Sequence, residues 1–284
     1  MTGERNAALI LGALGDFILT LPLLGELQPR GFLALCTRGV YRALLPAALA
    51  DLPFVDLDSA AAARMFADSS DLPEALEPCL RGTTVHAFMR PDLALVRNAL
   101  RVGAVRLVWH DPRPSAPPHI VLRFFQEAGL EPPVDVLDTP VMPRREGAGQ
   151  GLWLHAGSGS PAKTLPAAWL AETAQRQSAR WGGRLVVSFG EADLAQLEPV
   201  RAAFRDRSLS FEALICPTLG ELRRRLEAEA AAFIGADTGV THLAAALGIP
   251  TTAVFRSTDP AIWRPVGRVT VQRGAAPCST ISRA

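Results

Sequence analysis

Apolar residues recur along the chain in two alternating patterns. Short runs that are apolar at almost every position predict buried strands, and longer segments with apolar residues three and four positions apart predict helices. In the first half the predicted strands are 7–12, 31–36, 83–88 and 104–109, and the predicted helices are 16–27, 39–50, 60–67, 91–100 and 119–129. Pro22 is expected to kink the first helix. This alternation, with strands that are apolar throughout, indicates a parallel sheet covered on both faces.

The same alternation restarts after a stretch rich in proline, glycine and charge at 140–150, which has the composition of a linker. The predicted strands of the second half are 152–157, 184–190, 211–215, 231–236 and 251–255, and the predicted helices are 167–180, 191–204, 218–230 and 238–248. The sequence therefore predicts an α/β protein of two Rossmann-like domains, residues 1–145 and 146–284, in which the last residues can pack back on the N-terminal domain. We expect their parallel sheets to face a cleft between the domains.

Composition narrows the function classes. The 29 basic and 28 acidic residues leave a net charge of +1, so no overall field favours nucleic acid as a partner. The four cysteines are scattered without a CxxC pair, which favours reduced thiols and a cytoplasmic protein. We expect neither a signal peptide nor a membrane span, since no apolar run reaches about 18 residues. Peripheral contact with a membrane stays open.

The first candidate site is LGALGDFILTLP, residues 11–22. Gly12 and Gly15 flank a tight turn from strand to helix, and Asp16 falls at the helix start. A carboxylate there can cap free backbone N–H groups, or it can act as a general base at the edge where open α/β sheets bind ligands. The spacing lacks the third glycine of a dinucleotide fingerprint, which disfavours a nicotinamide cofactor.

The second candidate site is LHAGSGSPAKTLP, residues 154–166. A predicted strand ends in a loop of small residues that includes Ser158, and such a loop lets backbone N–H groups approach an anion closely. Lys163 follows in this loop and is the only lysine of the chain. A compact ammonium beside small residues suits a phosphate. The spacing differs from that of a P-loop nucleotide-binding motif.

The third candidate site is FIGADTGVTHLAAALGIPTTAVF, residues 233–255. Asp237 and Thr238 follow a buried strand, and either can cap the helix that begins near Gly239. His242 lies in the first helical turn and, by helical spacing, is expected to point away from the apolar stripe. A helix start with a glycine and a histidine favours a diphosphate, although a capped helix with a surface histidine is the simpler interpretation.

Weaker candidates lie near other predicted strand ends. Ser188 and Glu191 belong to the carboxyl end of the strand 184–190, where a nucleotide's base or ribose can be hydrogen-bonded. Arg90 and His110 follow strands of the first half and can meet an anionic acceptor, together with the turn glycine Gly15. No group of histidine, cysteine and acidic residues has the spacing of metal ligands, so we predict neither a metal nor a bound cofactor.

The three stretches, with STDPAIWRP (257–265) after the third, resemble the signature regions of glycosyltransferase family 9, the ADP-heptose:lipopolysaccharide heptosyltransferases. The resemblance runs in order over nearly the whole chain. It implies a GT-B fold, with the acceptor held by the N-terminal domain and the nucleotide sugar by the C-terminal one. It also implies a bacterial, metal-independent, inverting enzyme. Arg256 stands where the family often has glycine.

Residue roles follow from the same resemblance. Asp16 resembles the family's catalytic base, Lys163 resembles the lysine that neutralises the phosphates of the nucleotide-sugar donor, and Asp237 resembles the carboxylate that contacts the sugar. Thr238, Gly239 and His242 resemble the helix start that binds the diphosphate. The expected partners are a nucleotide sugar, ADP-linked, and a saccharide or glycolipid acceptor. A glycolipid acceptor would bring the protein to the cytoplasmic face of the inner membrane.

Two other functions fit the same pattern. A nucleotide-sugar epimerase of GT-B architecture, such as a UDP-N-acetylglucosamine 2-epimerase, would release a free sugar without an acceptor. A catalytically silent protein that binds a nucleotide sugar would keep the C-terminal features and would not depend on Asp16 for any reaction. The sequence leaves these alternatives open.

Overall fold

A computed structural model describes residues 3–60, 62–67, 74–144, 149–181 and 184–274. The chain forms two compact units, Met1–Val134 and Asp135–Ala284. This division lies before the predicted one after residue 145, because the intervening segment bonds to the second unit. The N–H of Met142 donates to the carbonyl of Ala246 and that of Arg144 to the carbonyl of Leu247. The expectation that the last residues pack on the N-terminal domain concerns residues outside the described ranges.

The N-terminal unit is a five-stranded parallel sheet with helices connecting its strands. The strand order is β3-β2-β1-β4-β5. Its strands are β1 (Glu4–Ile10), β2 (Gly31–Thr37), β3 (Phe54–Asp56), β4 (Thr84–Phe88) and β5 (Arg106–Trp109). Its helices are α1 (Leu14–Leu27), α2 (Glu77–Leu80), α3 (Leu93–Arg101) and α4 (Ile120–Ala128). The parallel register brings the carboxyl ends of all five strands to one edge.

The C-terminal unit is a six-stranded parallel sheet in the order β11-β10-β9-β6-β7-β8. Its strands are β6 (Gly151–His155), β7 (Leu185–Phe189), β8 (Glu212–Ile215), β9 (Ala230–Ala236), β10 (Thr251–Phe255) and β11 (Val269–Arg273). Its helices are α5 (Ala167–Ser178), α6 (Leu197–Arg205), α7 (Leu219–Glu229), α8 (Gly239–Ala246) and α9 (Pro260–Trp263). The four strands β10, β9, β6 and β7 are neighbours, so the loops that follow them share one edge of the sheet.

Burial and capping explain these elements. The inner strands β6, β7 and β10 are buried at every position, as expected of a parallel sheet covered on both faces. Large apolar side chains such as Trp153, Phe189 and Phe204 fill the core of the C-terminal unit. Helix starts carry short polar caps: the side chain of Asp92 accepts from the N–H of Leu95 at the start of α3. The fold thus follows from local patterns that agree with the packing.

Nine strands were predicted, and each is present within a few residues of its expected place. The short β3 and the exposed β11 were not predicted. The predicted helices 39–50 and 60–67 are wrong as α-helices, since the described residues there form 3₁₀ turns at Gly39–Leu44, Ala47–Leu49 and Ala62–Phe66. Pro22 lies inside α1, which continues to Leu27. Within the described residues, no helix is both long and apolar enough to cross a membrane.

Candidate functional site

Asp237 is the centre of a polar cluster at the carboxyl edge of the C-terminal sheet. It directly follows β9, and its side chain is almost fully buried. Its Oδ2 accepts hydrogen bonds from Lys163 Nζ at 2.7 Å and from Thr258 Oγ1 at 2.6 Å. Its Oδ1 lies 3.3 Å from His242 Nε2. One carboxylate therefore joins groups from the loops after β6 and β10 and from α8.

The protonation state of Asp237 follows from this environment. Burial of the carboxyl group acts to raise its pKa, but the hydrogen bonds from His242, Lys163 and Thr258, with the charge of His242, outweigh burial. The pKa of Asp237 is held well below its usual range. The carboxylate is thus charged at neutral pH and keeps Lys163 and the imidazole of His242 in fixed positions.

His242 differs from the prediction. Its ring was expected to point outward from α8, but the side chain is only 4% exposed. The prediction of an outward ring is wrong. Helix α8 is short and almost wholly buried, and the carboxylate of Asp237 holds the imidazole ring of His242 inside. The ring's Nδ1 has no hydrogen-bond partner within the described ranges.

The start of α8 carries a polar cap and two backbone N–H groups. Thr238 is the N-cap, and its Oγ1 lies 3.5 Å from the N–H of Thr241. The N–H groups of Gly239 and Val240 occupy the first two helical positions, which have no partner inside a helix. Among the described residues they meet no other acceptor. Two N–H groups and the positive end of the helix dipole are thus available beside Asp237.

The loop 158–164 is a compact turn that positions Lys163. The carbonyl of Ser160 accepts hydrogen bonds from the Ser158 hydroxyl at 2.5 Å and from the N–H groups of Lys163 and Thr164. Ser158 also lies 3.3 Å from the hydroxyl of Thr164. Ser158 therefore holds the loop in shape in this structure, and its predicted contact with a nucleotide sugar stays a prediction.

A second buried cluster, centred on Asp193, supports the loops after β6 and β7. Asp193 Oδ2 accepts from the N–H of Gly190 at 3.1 Å and lies 3.6 Å from Nε2 of His155. A Cβ atom built on Gly157 would lie 1.7 Å from Cγ of Asp193, so only glycine fits there. Burial lowers the pKa of His155, although the charge of Asp193 opposes this effect.

Ser188 belongs to this second cluster. Its buried hydroxyl lies 3.0 Å from Nε1 of Trp153 and 3.0 Å from Nδ1 of His155. Glu191, in contrast, is exposed at the start of a 3₁₀ turn. The nucleotide contacts predicted for Ser188 and Glu191 stay predictions. Neither Asp193 nor His155 was predicted, although an acid three residues after a glycine is a recognisable capping position.

In the N-terminal unit, Asp16 lies in the first turn of α1. Its Oδ2 accepts from the N–H of Ala13 at 2.9 Å, which is the capping role that the sequence left open. A Cβ atom on Gly12 would lie 2.5 Å from Cβ of Asp16. Tyr41 stacks on Phe17 with ring centroids 4.6 Å apart and donates from its hydroxyl to the carbonyl of Gly12. The turn that carries Asp16 is therefore braced, and the carboxylate is half-buried.

The predicted acceptor contacts differ among themselves. Gly15 is half-buried beside Asp16, and Arg90 is exposed just after β4. His110 is completely buried: its Nε2 lies 3.1 Å from His86 Nδ1, and its Nδ1 lies 3.0 Å from Glu127 Oε2. A role for these three residues in acceptor binding stays a prediction. Within the described residues, no three histidine, cysteine or acidic side chains form a metal site.

Part of the chain matches a known protein family. Residues 150–281 match the family model for glycosyltransferase family 9 (heptosyltransferase). This range contains Lys163 and Asp237, and it does not reach Asp16. No curated protein matches the chain.

Solved structures share the fold over most of the chain. An Escherichia coli ADP-heptose lipopolysaccharide heptosyltransferase II is similar at a TM-score of 0.70 and 16% identity, over 95% of this chain and 90% of that one. E. coli heptosyltransferase WaaC with ADP is similar at a TM-score of 0.67 and 20% identity, over 95% of this chain and 93% of that one. A glycosyl transferase family 9 protein from Veillonella parvula is similar at a TM-score of 0.67 and 17% identity, over 95% of this chain and 87% of that one. These likenesses confirm the α/β GT-B fold.

The match over residues 150–281 and the shared GT-B fold agree with the three signature stretches, and these residues are similar to glycosyltransferase family 9, the heptosyltransferase family.

Proposed function

We propose that this glycosyltransferase moves heptose from ADP-heptose to a hydroxyl of a saccharide or glycolipid, with inversion and without a metal ion. The observation that carries the proposal is the Asp237 cluster, which brings Lys163, His242 and the start of α8 to one sheet edge. The family match covers this cluster. Structures of similar fold were obtained as E. coli heptosyltransferase WaaC with ADP and with ADP-2-deoxy-2-fluoro heptose, which supports the choice of nucleotide.

In the proposed reaction, the carboxylate of Asp16 takes the proton of the acceptor hydroxyl. The acceptor oxygen then forms a bond to the anomeric carbon. The bond between that carbon and the β-phosphate oxygen breaks, and its electron pair leaves with ADP. A positioned general base contributes about 10²–10⁴-fold to such a step.

The charge that develops on ADP needs stabilisation. Lys163 and the N–H groups of Gly239 and Val240 supply a fixed positive environment, and such groups act without reorganisation during the reaction. Asp237 holds Lys163 at 2.7 Å, which keeps the ammonium positioned before the nucleotide arrives. We propose that the sugar hydroxyls then contact Asp237.

The direct test is to incubate the purified protein with ADP-heptose and a panel of saccharide and glycolipid acceptors, with and without EDTA. We expect glycosylated product and ADP in equal amounts, and no loss of rate with EDTA. Inversion is read from the anomeric configuration of the product. Release of a free sugar from UDP-N-acetylglucosamine without an acceptor would instead favour the epimerase. Binding of ADP without any product would favour the silent binding protein.

We also propose that the protein acts in the bacterial cytoplasm, and at the inner face of the inner membrane when its acceptor is a glycolipid. Sedimentation with vesicles that contain the glycolipid acceptor tests this. Binding that depends on the acceptor supports the proposal, and equal binding to vesicles without it contradicts an acceptor-directed contact.

A further inference from the structure

Arg256 is an exposed cation that reaches the loop holding Lys163. It directly follows β10 at the same carboxyl edge as Asp237. Its Nη1 donates to the carbonyl of Thr164, the residue next to Lys163. Arg256 therefore lies beside the loop 158–164, although it comes from a strand two places away in the sheet order.

The charges at this edge make Arg256 distinctive. The ammonium of Lys163 is paired with the carboxylate of Asp237, so the two charges largely cancel before any ligand binds. Two other arginines of this unit are also paired: Arg273 with Asp259 at 3.1 Å and Arg264 with Asp138 at 2.7 Å. In the described part of the chain, no carboxylate pairs with Arg256. Its positive charge is therefore the uncompensated one at the loop.

A guanidinium group carries five N–H donors. The carbonyl of Thr164 accepts a hydrogen bond from Nη1 of Arg256, which leaves the other donors of the group for a ligand. The remaining donors suit two oxygens of one phosphate. Lys163 contacts Asp237, the carboxylate proposed to contact the sugar. A phosphate group beside Lys163 therefore lies at the sugar end of the diphosphate. The phosphate nearest to Arg256 is then the β-phosphate.

We propose that Arg256 is a second cation of the nucleotide-sugar site and binds the β-phosphate of the donor. This inference rests on the proposed function. It makes Arg256 a specificity residue, since it favours nucleoside diphosphates over monophosphates. It also supplies positive charge at the oxygen that leaves with ADP.

The test is calorimetric titration of ADP and AMP into the wild type and the variants Arg256→Ala, Arg256→Lys and Arg273→Ala. Loss of a hydrogen-bonded charge contact predicts about tenfold to a hundredfold weaker ADP binding in Arg256→Ala. AMP, which lacks the β-phosphate, is expected to change by less than about threefold. Arg256→Lys is expected to recover part of the ADP affinity, because it keeps the charge without the fork.

Arg273→Ala is the matched control, because it removes an exposed cation from the end of the adjacent β11. It is expected to bind ADP as the wild type does. Circular dichroism verifies that each variant is folded. An equal loss for ADP and AMP would show that Arg256 only braces the loop, and unchanged ADP binding would show no role; either result overturns this inference alone. A wild type that binds no ADP would overturn the proposed function as well.

Discussion

The two units carry similar parallel sheets, but they place their polar side chains differently. In the C-terminal unit, the carboxylate of Asp237 joins three polar side chains at the carboxyl edge. In the N-terminal unit, a chain of hydrogen-bonding groups from Asn6 through His86 and His110 to Glu127 crosses the interior. Asp16, at the edge, is bound to the start of its own helix.

This difference separates positions that a sequence pattern cannot distinguish. His110 and His242 both follow closely on a strand, and both were predicted to meet a ligand. His242 contacts the carboxylate that also holds Lys163, whereas His110 contacts a second buried histidine. If the account is right, changes at the C-terminal edge alter nucleotide binding, and changes in the N-terminal unit alter chemistry or stability without altering nucleotide binding.

The largest effect is expected for Asp16→Asn. Asparagine keeps an oxygen that can accept from the N–H of Ala13, but it cannot take a proton from an acceptor hydroxyl. We expect the transfer rate to fall by at least about 10²-fold. ADP affinity, measured by calorimetry, should stay within about twofold of the wild type, as for any variant that removes only the base.

The control is Asp51→Asn, since Asp51 is exposed in the same unit and belongs to no described cluster. It should transfer at the wild-type rate. If Asp16→Asn also transfers at that rate, Asp16 is not the base and its role is to cap α1.

A stability effect is expected for Gly157→Ala. The added methyl group would overlap the carboxylate of Asp193, so the loop after β6 must shift. Overpacking of this kind costs about 1–3 kcal/mol. Gly159→Ala is a close control two residues along, because a Cβ there meets nothing within 4 Å. We expect its unfolding free energy to lie within about 0.5 kcal/mol of the wild type. Equal melting temperatures for the two variants would contradict the packing described for Asp193.

A smaller effect, on pH dependence, is expected from His86. Burial, with the charges of His110 and Arg106, lowers the pKa of His86 to about 3. The unfolded state therefore binds a proton near pH 6.5 while the folded state does not. Stability is full above that pH and falls by about 1 kcal/mol as the pH drops from 6.5 to 5.5.

Urea unfolding of the wild type and of His86→Asn between pH 7.5 and 5 measures the contribution of His86 to the free energy of unfolding. Other groups, such as the buried His155, contribute to the pH dependence of both proteins. The difference between the two slopes of unfolding free energy against pH therefore isolates the contribution of His86. We expect the variant to have the shallower slope. Parallel slopes would mean that His86 is not kept neutral in the folded protein.

The sequence predicted the inner strands well because their apolar runs reflect burial on both faces. It missed β3, which has only three residues, and β11, whose alternating polar residues are partly exposed at the edge of the sheet. The predicted helices at 39–50 and 60–67 failed because apolar spacing does not distinguish an α-helix from short 3₁₀ turns, and Pro46 lies between two of these turns.

At the candidate site, the motifs identified Lys163, Asp237, Thr238 and His242. The structure places the side chains of Lys163 and His242 against the carboxylate of Asp237, and Thr238 caps the helix that begins beside it. Thr258, Asp193 and His155 were not predicted, since their contacts arise between strands that are distant in sequence. The burial of His242 was also missed, because helical spacing gives a direction from the axis and not what packs against it.

The central claim is that the Asp237 cluster holds the diphosphate of the nucleotide-sugar donor. The most direct measurement is calorimetric titration of ADP into the wild type, Lys163→Met and Lys163→Arg, with folding verified by circular dichroism. The account predicts ADP binding that weakens about tenfold to a hundredfold in Lys163→Met and recovers in part in Lys163→Arg. ADP binding of equal strength in the wild type and folded Lys163→Met would contradict it.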